Sequence, residues 1–239
     1  MGQGFCIVGV EAQGPAYRSW RPMPARGHAW NPAWPHRRGD VLRFELAPPV
    51  LAAPHVEDRQ SSGWVHRLGT ISEADVVCAL RRAEVATCVR DLFGCVPSVN
   101  RFGAGAGWVN PEQATRSICG CGYRSLRFAW KFNRWRVELA LSSGETLHGL
   151  PIVDHEWNGF LEEASKALGS ADQSQRMQRF LNFDVAQRLA RHSAPFARLG
   201  LARPNQQQQC WIMLDSLFPL PQAEWLEGLR AAQPGAAKE

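Results

Sequence analysis

Basic and aromatic residues are interleaved in one short stretch of this chain, SLRFAWKFNRWRVEL at positions 125–139. No Asp or Glu occurs between Arg116 and Arg136, so the stretch carries no acid of its own in that interval. Basic side chains bind phosphates and aromatic rings stack on bases, so this composition favours a surface that binds nucleic acid. The residues that we select for that surface are Arg124, Arg127, Trp130, Lys131, Arg134, Trp135 and Arg136.

The same stretch has the period-two pattern of a β-strand, which allows a different interpretation. Phe128, Trp130 and Phe132 fall on one face of the strand, and Arg127 and Lys131 fall on the other. Aromatic residues are usually buried, so the aromatic face is expected inside a small barrel. The two basic residues then point outward with no acidic neighbour on their strand. That arrangement favours a surface for a polyanion over a surface of ion pairs.

A second group of basic and aromatic residues lies near the start of the chain, in AYRSWRPM at 16–23. We select Arg18, Trp20 and Arg21 as a second candidate nucleic-acid contact. In the alternative interpretation, Trp20 anchors the proline-rich loop that follows and both arginines are solvated. The residue types alone do not separate these two alternatives.

Carboxylates in two short segments raise the possibility of catalysis. A metal-dependent nuclease needs carboxylates that converge on one site, and Glu57, Asp58 and Asp154 are the candidates. Neighbouring residues on a strand point to opposite faces, so Asp154, His155 and Glu156 cannot share one site on a continuing strand. Asp154 is better explained as the cap of a helix that begins near residue 157. We therefore predict no catalytic residue.

Cysteine and histidine residues allow a zinc site to be drawn, but the spacing gives it little support. A structural zinc ion needs four S or N ligands in tetrahedral geometry, and the usual ligand pairs are spaced C-x2-4-C, not C-x-C. Buried thiols explain the cysteines better, since free Cys is among the most buried residue types. We predict no metal and no cofactor. The residues considered were Cys119, Cys121, His148, His155 and Cys210.

Hydrophobic periodicity predicts more strands than helices. Period-two runs predict strands at 40–46 and 126–132, a short apolar run predicts one at 5–10, and the segments 196–203 and 210–217 are predicted to form a last strand pair. Apolar residues at helical spacing predict helices at 72–90, 157–168 and 180–191. The glycine-rich segment RFGAGAGW at 101–108 lacks the Lys and the following helix of a phosphate-binding loop, so it is interpreted as a connector. Short strands with Gly and Pro turns are typical of small barrels.

Composition limits the class of protein. The chain has 239 residues, 45% of them hydrophobic, and a formal net charge of +5, which permits an anionic partner without requiring one. Its seven cysteines are odd in number and irregular in spacing, which favours reduced thiols in a cytoplasmic protein. The first residues lack the pattern of a secretory leader and no apolar run reaches membrane-spanning length, so we expect neither a leader nor a spanning helix. We expect no membrane partner.

Several segments together resemble a known family, the dual OB-domain proteins of prokaryotes. The first half has CIVGV, SWRPM, GDVLRFEL and APHVEDRQ, and the second half has ETLHGLPIVDHEW, ARLGLARP and CWIMLDSLFPLP. The resemblance covers most of residues 5–220. It implies two five-stranded OB barrels and a role in reading single-stranded, distorted or modified nucleic acid within a defence or mobile-element complex. It carries over no catalytic residue.

These observations predict a mainly β chain with peripheral helices, built as two small OB-like barrels in tandem. The expected domains are residues 1–112, residues 113–222 with a polar helical insertion at 169–191, and a C-terminal tail at 223–239. The expected function is non-catalytic nucleic-acid binding, as a subunit or accessory with a protein partner. The alternatives are a protein–protein adaptor and a metal-dependent nuclease or nucleotide hydrolase.

Overall fold

Two β-sheets with helices around them form the part of the chain that the computed structural model describes. The described residues are 7–13, 16–24, 30, 35–48, 53–83, 85–99, 106–168, 173–192 and 195–231. Strand residues outnumber helix residues, so the prediction of a mainly β chain is confirmed. Parts of four predicted segments lie outside the described residues: the strand at 5–10, the connector at 101–108, the start of the insertion and the end of the tail.

The first sheet has four strands in the spatial order β1-β2-β4-β3. Strands β2 and β4 are parallel, and the two outer pairs are antiparallel. Strand β3 has the alternation that the sequence predicts for residues 40–46. The strand bounds are β1 (Gly9–Gln13), β2 (Ala16–Met23), β3 (Asp40–Leu46) and β4 (Asp58–Thr70).

The second sheet has seven strands in the order β6-β11-β10-β7-β8-β9, with β5 paired to β7 off this path. The predicted pair at 196–203 and 210–217 is confirmed as the antiparallel pair of β10 and β11. The bounds are β5 (Val85–Ala86), β6 (Trp108–Val109), β7 (Ile118–Lys131), β8 (Arg134–Leu141), β9 (Thr146–Pro151), β10 (Phe196–Leu201) and β11 (Cys210–Phe218).

The second sheet curls into a half-barrel in which the end of β9 approaches β11. Ile152, directly after β9, forms an isolated parallel bridge with Leu214 of β11. The N–H of Val153 donates to the carbonyl oxygen of Leu214 at 3.0 Å. Five strands therefore follow one another around a ring, β7-β8-β9-β11-β10, and β10 pairs again with β7.

The first sheet repeats four of these five strands in order and direction. In both halves an antiparallel pair is joined, through a parallel contact, to a second antiparallel pair. Strands β1, β2, β4 and β3 thus correspond to β8, β9, β11 and β10. Among the described residues, the first sheet has no counterpart of β7.

Helices cover the ends of the second sheet and join it to the first. The polar insertion forms two helices with a π-helical segment between them, Leu181–Val185. The segment expected as a tail contributes a helix whose residues Trp225, Leu226 and Leu229 are buried. The bounds are α1 (Glu73–Arg82), α2 (His155–Leu168), α3 (Gln173–Phe180), α4 (Ala186–Arg191) and α5 (Glu224–Ala231).

Helix α1 is shorter than the helix that the sequence predicts at 72–90. Its start agrees, because the hydroxyl of Ser72 accepts the backbone N–H of Asp75 at 3.2 Å as an N-cap. Its end does not agree, since Ala83 is extended and Val85–Ala86 pairs with β7 as a strand. β-Branched and small residues at the helix end joined the sheet because tertiary pairing overrode a weak helical signal.

The core of the second half is centred on Trp157 of α2. Its ring is fully buried and lies against Phe128 of β7 and Trp225 of α5, with centroids 6.0 and 6.2 Å away. Its indole N–H donates to the carbonyl oxygen of Leu217 at 2.9 Å, so the side chain also ties α2 to β11. The predicted helix at 157–168 is confirmed, with its start two residues earlier.

The boundary expected at residue 112 stays a prediction. Strands β5 and β6 precede that residue in the chain and pair within the second sheet. A small cluster made by Val77 and Leu80 of α1 with Phe196 and Phe218 also packs the two halves together. None of the helices in the described ranges is both long and apolar enough to cross a membrane.

Candidate nucleic-acid interface

The hairpin of β7 and β8 places the predicted basic residues on one outward face. Directly opposed residues share a face of a sheet. The register pairs Arg127 with Glu138 and Lys131 with Arg134, and Ala129 with Arg136. Strands β7 and β8 thus present Arg127, Lys131, Arg134 and Arg136 on one face. The sequence predicts the outward positions of Arg127 and Lys131.

Glu138 corrects the expectation that this face is free of ion pairs. Its carboxylate lies 3.8 Å from Arg127, 3.8 Å from Lys131 and 3.9 Å from the ring of His148. One carboxylate cannot neutralise several cations, and exposed ion pairs of this length contribute little. The face therefore stays positive. Sequence alternation did not reveal Glu138 as a neighbour because it lies on the next strand.

The aromatic residues of the hairpin divide between core and surface. Phe128 is fully buried, as expected for the barrel interior. Trp130 is on the same face but lies near the end of the strand, where 46% of it is exposed. Trp135 packs edge-on against Trp130 with ring centroids 5.3 Å apart, and it is partly buried against the core. Trp130 thus has an exposed ring, and Trp135 packs against it from one side.

Phe132 departs from the predicted strand face. Strand β7 ends at Lys131, and Phe132 and Asn133 form the two-residue hairpin turn, each with a φ of 55°. Such turns favour Asn and Gly because both central residues need positive φ. An aromatic residue that is 67% exposed in this conformation has a local cost and no burial in return. Strain of this kind points to a functional reason for the ring.

Two variants at Phe132 separate its backbone strain from its ring. Phe132→Gly and Phe132→Ala both remove the ring, but only the alanine variant keeps a side chain in the left-handed conformation. We expect the glycine variant to be more stable than the alanine variant by about 0.5–1 kcal/mol. Urea denaturation measures this difference, and equal stabilities would contradict it.

Arg136 is held in place by the protein. Its Nη1 donates to the carbonyl oxygen of Gly149 at 2.7 Å, and its guanidinium lies 5.0 Å from the centroid of the Phe132 ring. Desolvation lowers the pKa of Arg136, and the nearby charge of Arg134 lowers it further. Arg136 thus supports the turn, whereas Arg134 and Arg124 are exposed.

The first-half candidates are placed differently from one another. Arg18 is exposed on β2. Trp20 donates its indole N–H to Glu11 at 2.6 Å, and the guanidinium of Arg59 lies 4.0 Å from its ring centroid. One face of the Trp20 ring is therefore already covered. Neither prediction for this group anticipated Arg21, whose side chain is buried instead of exposed.

Arg21 lies in a buried polar network between the two halves of the chain. Its Nη1 donates to Nδ1 of His55 at 2.9 Å and lies 3.2 Å from the carboxylate of Asp58. Its Nη2 donates to the hydroxyl of Ser117 at 3.0 Å. Asp58 also pairs with Arg203, from the segment after β10. These contacts use Arg21 and Asp58 to join β2 and β4 to the second sheet.

Glu57 completes the same network. One carboxylate oxygen accepts the backbone N–H of Ser117 at 2.8 Å, and the other accepts its hydroxyl at 2.7 Å. Asp215 of β11 lies close by. Desolvation raises its pKa to about 6, although the positive charges of Arg21 and Arg198 act to lower that pKa. The candidate catalytic residues Glu57 and Asp58 are thus engaged by protein groups on both sides of the junction.

Asp154 has the capping role that the sequence favours. Its Oδ1 accepts the backbone N–H of Glu156 at 3.0 Å and that of Trp157 at 3.2 Å, at the start of α2. Its Oδ2 accepts from Arg38 at 2.9 Å. Arg38 also lies 3.2 Å from Glu156, whose pKa is raised by desolvation. The contacts of Arg38 with Asp154 and Glu156 likewise join the first half of the chain to the second.

The cysteine candidates for zinc lie in the interior. Cys119, Cys121 and Cys210 are buried on β7 and β11. Burial raises the pKa of the Cys121 and Cys210 thiols, which favours the protonated form. The described part of the chain has no group of three or more His, Cys, Asp or Glu residues that could hold a metal ion.

Two exposed aromatic groups were missed by sequence reasoning. Trp64 of β4 is 47% exposed and stacks on His66, with ring centroids 5.9 Å apart. His66 lies opposite Arg43 of β3. Phe183 in the π-helical segment is 63% exposed. The alternation of β4 contained a signal for the first group. No local pattern marks Phe183, because its exposure depends on how the insertion packs.

The geometry therefore brings Arg127, Lys131, Arg134 and Arg136 together and leaves Arg18 and Trp20 on the other sheet. Comparison of the chain with family models, curated proteins and solved structures found no match.

Proposed function

We propose that this chain is a non-catalytic module that binds single-stranded or distorted nucleic acid. The observation that carries the proposal is the outward face of β7 and β8, where Arg127 and Lys131 flank the carboxylate of Glu138 and Arg134 lies opposite Lys131. Cations of this kind bind phosphates. The ring of Phe132 lies beside Arg136 of this face, and the ring of Trp130 is exposed at the end of the strand on the opposite face, so both can stack on bases. The strained position of Phe132 supports a role for its ring in binding.

The strand order supports an OB-like barrel in the second half. An OB fold is a five-stranded, partly open barrel that binds oligonucleotides on its second and third strands and on the loop between its first two strands. Counted around the ring, those strands are β8 and β9, and that loop is the turn at Phe132 and Asn133. Arg134 and Arg136 lie on β8 and Phe132 lies in that loop, with Arg127 and Lys131 beside them on β7, which supports a binding surface of the OB type.

The first sheet supports a tandem arrangement. Its four strands have the order and directions of β8, β9, β11 and β10, so we propose that it is a second, more open OB-like unit. Arg18 and Trp20 lie on its second strand. The buried contacts of Arg21 and Glu57 hold the two units together, which suits a ligand that crosses from one to the other.

Charge neutralisation and stacking form the mechanism. Phosphates displace counterions from the basic face, so affinity falls as salt concentration rises. The proposal includes a protein partner that supplies any chemistry, as the resemblance to dual OB-domain proteins implies. An adaptor that binds only protein remains the alternative, because exposed Trp and Arg also dominate protein interfaces.

The test is fluorescence anisotropy with a labelled single strand of about 20 nucleotides at several salt concentrations. We expect the triple variant Arg127→Ala/Lys131→Ala/Arg134→Ala to bind about 100-fold more weakly than wild type at low salt. The slope of log affinity against log salt is expected to fall by about 2, since each lost phosphate contact on a single strand contributes about 0.7.

A matched control removes the same charge elsewhere. Arg90→Ala/Arg188→Ala/Arg191→Ala replaces three exposed arginines outside β7 to β9, so it changes net charge equally. This control is expected to retain wild-type affinity within about threefold. Equal losses in the two triple variants would show that binding follows net charge and not this face. A folded wild-type protein that binds no strand at low salt would favour the adaptor.

A further inference from the structure

A groove beside the basic face carries a more specific inference. It lies between β7 and the insertion formed by α3 and the π-helical segment, and its volume is about 490 Å³. Arg127 lines it from β7, and Gln175, Gln178, Arg179 and Phe183 line it from the insertion. Arg127 therefore belongs to both the outward face and the groove, so the two surfaces are continuous.

Asn182 fixes the insertion against the edge of β7. Strand β10 pairs with β7 only up to Gly122, so beyond that point another group must meet this edge of the strand. The side-chain amide of Asn182 accepts the N–H of Phe128 at 2.8 Å and donates to its carbonyl oxygen at 2.9 Å. A side chain here replaces the backbone of a neighbouring strand and sets the width of the groove.

The π-helical segment turns Phe183 outward. Leu181 and Val185 on the same segment are fully buried, so its other side faces the groove. π-Helical turns are rare and occur most often at functional sites. Because Asn182 is hydrogen-bonded to the strand, the backbone that carries the exposed ring of Phe183 is fixed beside the groove. A backbone that is already ordered reduces the entropy cost of stacking.

We propose that this groove is a subsite for one unstacked nucleobase, which stacks on Phe183 while Arg127 and Arg179 bind the phosphates on either side of it. Gln175 and Gln178 each carry a donor and an acceptor, so they can meet the polar edge of any base. The groove thus extends the path of a strand that first crosses the outward face of β7 and β8. This inference rests on the proposed function.

Two probes separate the base from the phosphates. One is a labelled single strand of about 20 nucleotides, and the other is the same strand with abasic sugars throughout. We expect Phe183→Ala to weaken binding of the intact strand about 5- to 100-fold and to leave binding of the abasic strand unchanged. Phe183→Tyr keeps a stacking ring and is expected to bind the intact strand like wild type.

Arg179→Ala serves as the phosphate variant and Trp64→Ala as the control. Arg179→Ala is expected to weaken both strands and to lower the salt slope by about 0.7. Trp64→Ala removes an exposed ring outside the groove and is expected to leave both affinities unchanged. Thermal unfolding of each variant verifies that the fold is intact, which exposed positions should allow.

The outcomes distinguish the subsite from the proposed function. Wild-type affinity of Phe183→Ala for the intact strand, alongside a loss in the triple variant of the outward face, would overturn the subsite and leave the function standing. An equal loss for intact and abasic strands would overturn base stacking as the role of Phe183. A wild-type protein that binds neither strand would overturn both proposals.

Discussion

Glu57→Ala is expected to lower the free energy of unfolding by about 3–5 kcal/mol. The variant leaves the backbone N–H and hydroxyl of Ser117 without their acceptor in a buried site. It also removes a negative charge near the buried guanidinium of Arg21. Removing one partner from a buried charged network is costly because the groups that remain are still desolvated but have lost their partner. Urea denaturation of wild type and variant measures the change.

Glu57→Gln and Glu45→Ala complete this experiment. The glutamine variant keeps an acceptor for the N–H of Ser117, so we expect a smaller loss than in Glu57→Ala. Glu45 is exposed and accepts the hydroxyl of the exposed Ser62, so Glu45→Ala is expected to change stability by less than about 0.5 kcal/mol. A change below about 1 kcal/mol for Glu57→Ala would contradict a structural role at the junction of the halves.

Trp157→Ala is the second substitution with a large expected effect, a loss of about 3–5 kcal/mol. The indole fills the centre of the second core, against Phe128, Phe160 and Trp225. Its removal leaves a cavity among three aromatic rings that cannot all move inward. It also releases the carbonyl oxygen of Leu217 from its hydrogen bond. The loss should appear as a lower urea midpoint and a lower thermal midpoint.

Two comparisons define the origin of that loss. Trp157→Phe retains most of the packing and loses the hydrogen bond, so we expect a loss of about 1–2 kcal/mol. Trp64→Ala removes an indole of the same size from an exposed position and is expected to change stability by less than about 0.5 kcal/mol. Similar losses in Trp157→Ala and Trp64→Ala would contradict the placement of Trp157 in the core.

These two residues define what the proposed binding face requires. Trp157 packs beneath Phe128, which precedes the exposed hairpin end by a few residues, so the core directly supports the strand that carries Arg127 and Lys131. Glu57 ties the first sheet to Ser117, one residue before β7 begins. A binding defect in either variant would therefore need a stability measurement beside it before it is assigned to the face.

Local signals in the sequence determined much of the architecture. Alternation of apolar and polar residues identified β3 and β7, because a strand with one buried face has a period of two. The apolar segments of β10 and β11 were predicted as a strand pair, and β10 is buried along its whole length. Asp154 marked the start of α2, because a cap acts within three residues of the helix it begins. The interleaved basic and aromatic residues of β7 and β8 identified the candidate face, since outward positions follow from the same alternation.

Tertiary structure decided everything that depends on contacts between distant segments. The burial of Arg21, the position of Glu138 beside Arg127, and the exposure of Phe183 all follow from strand pairing and from packing of the insertion. The parallel contact of Ile152 with Leu214 likewise joins residues far apart in the chain. Register and long-range pairing are set by the sum of many weak contacts, and a single strand pattern carries no record of its neighbours.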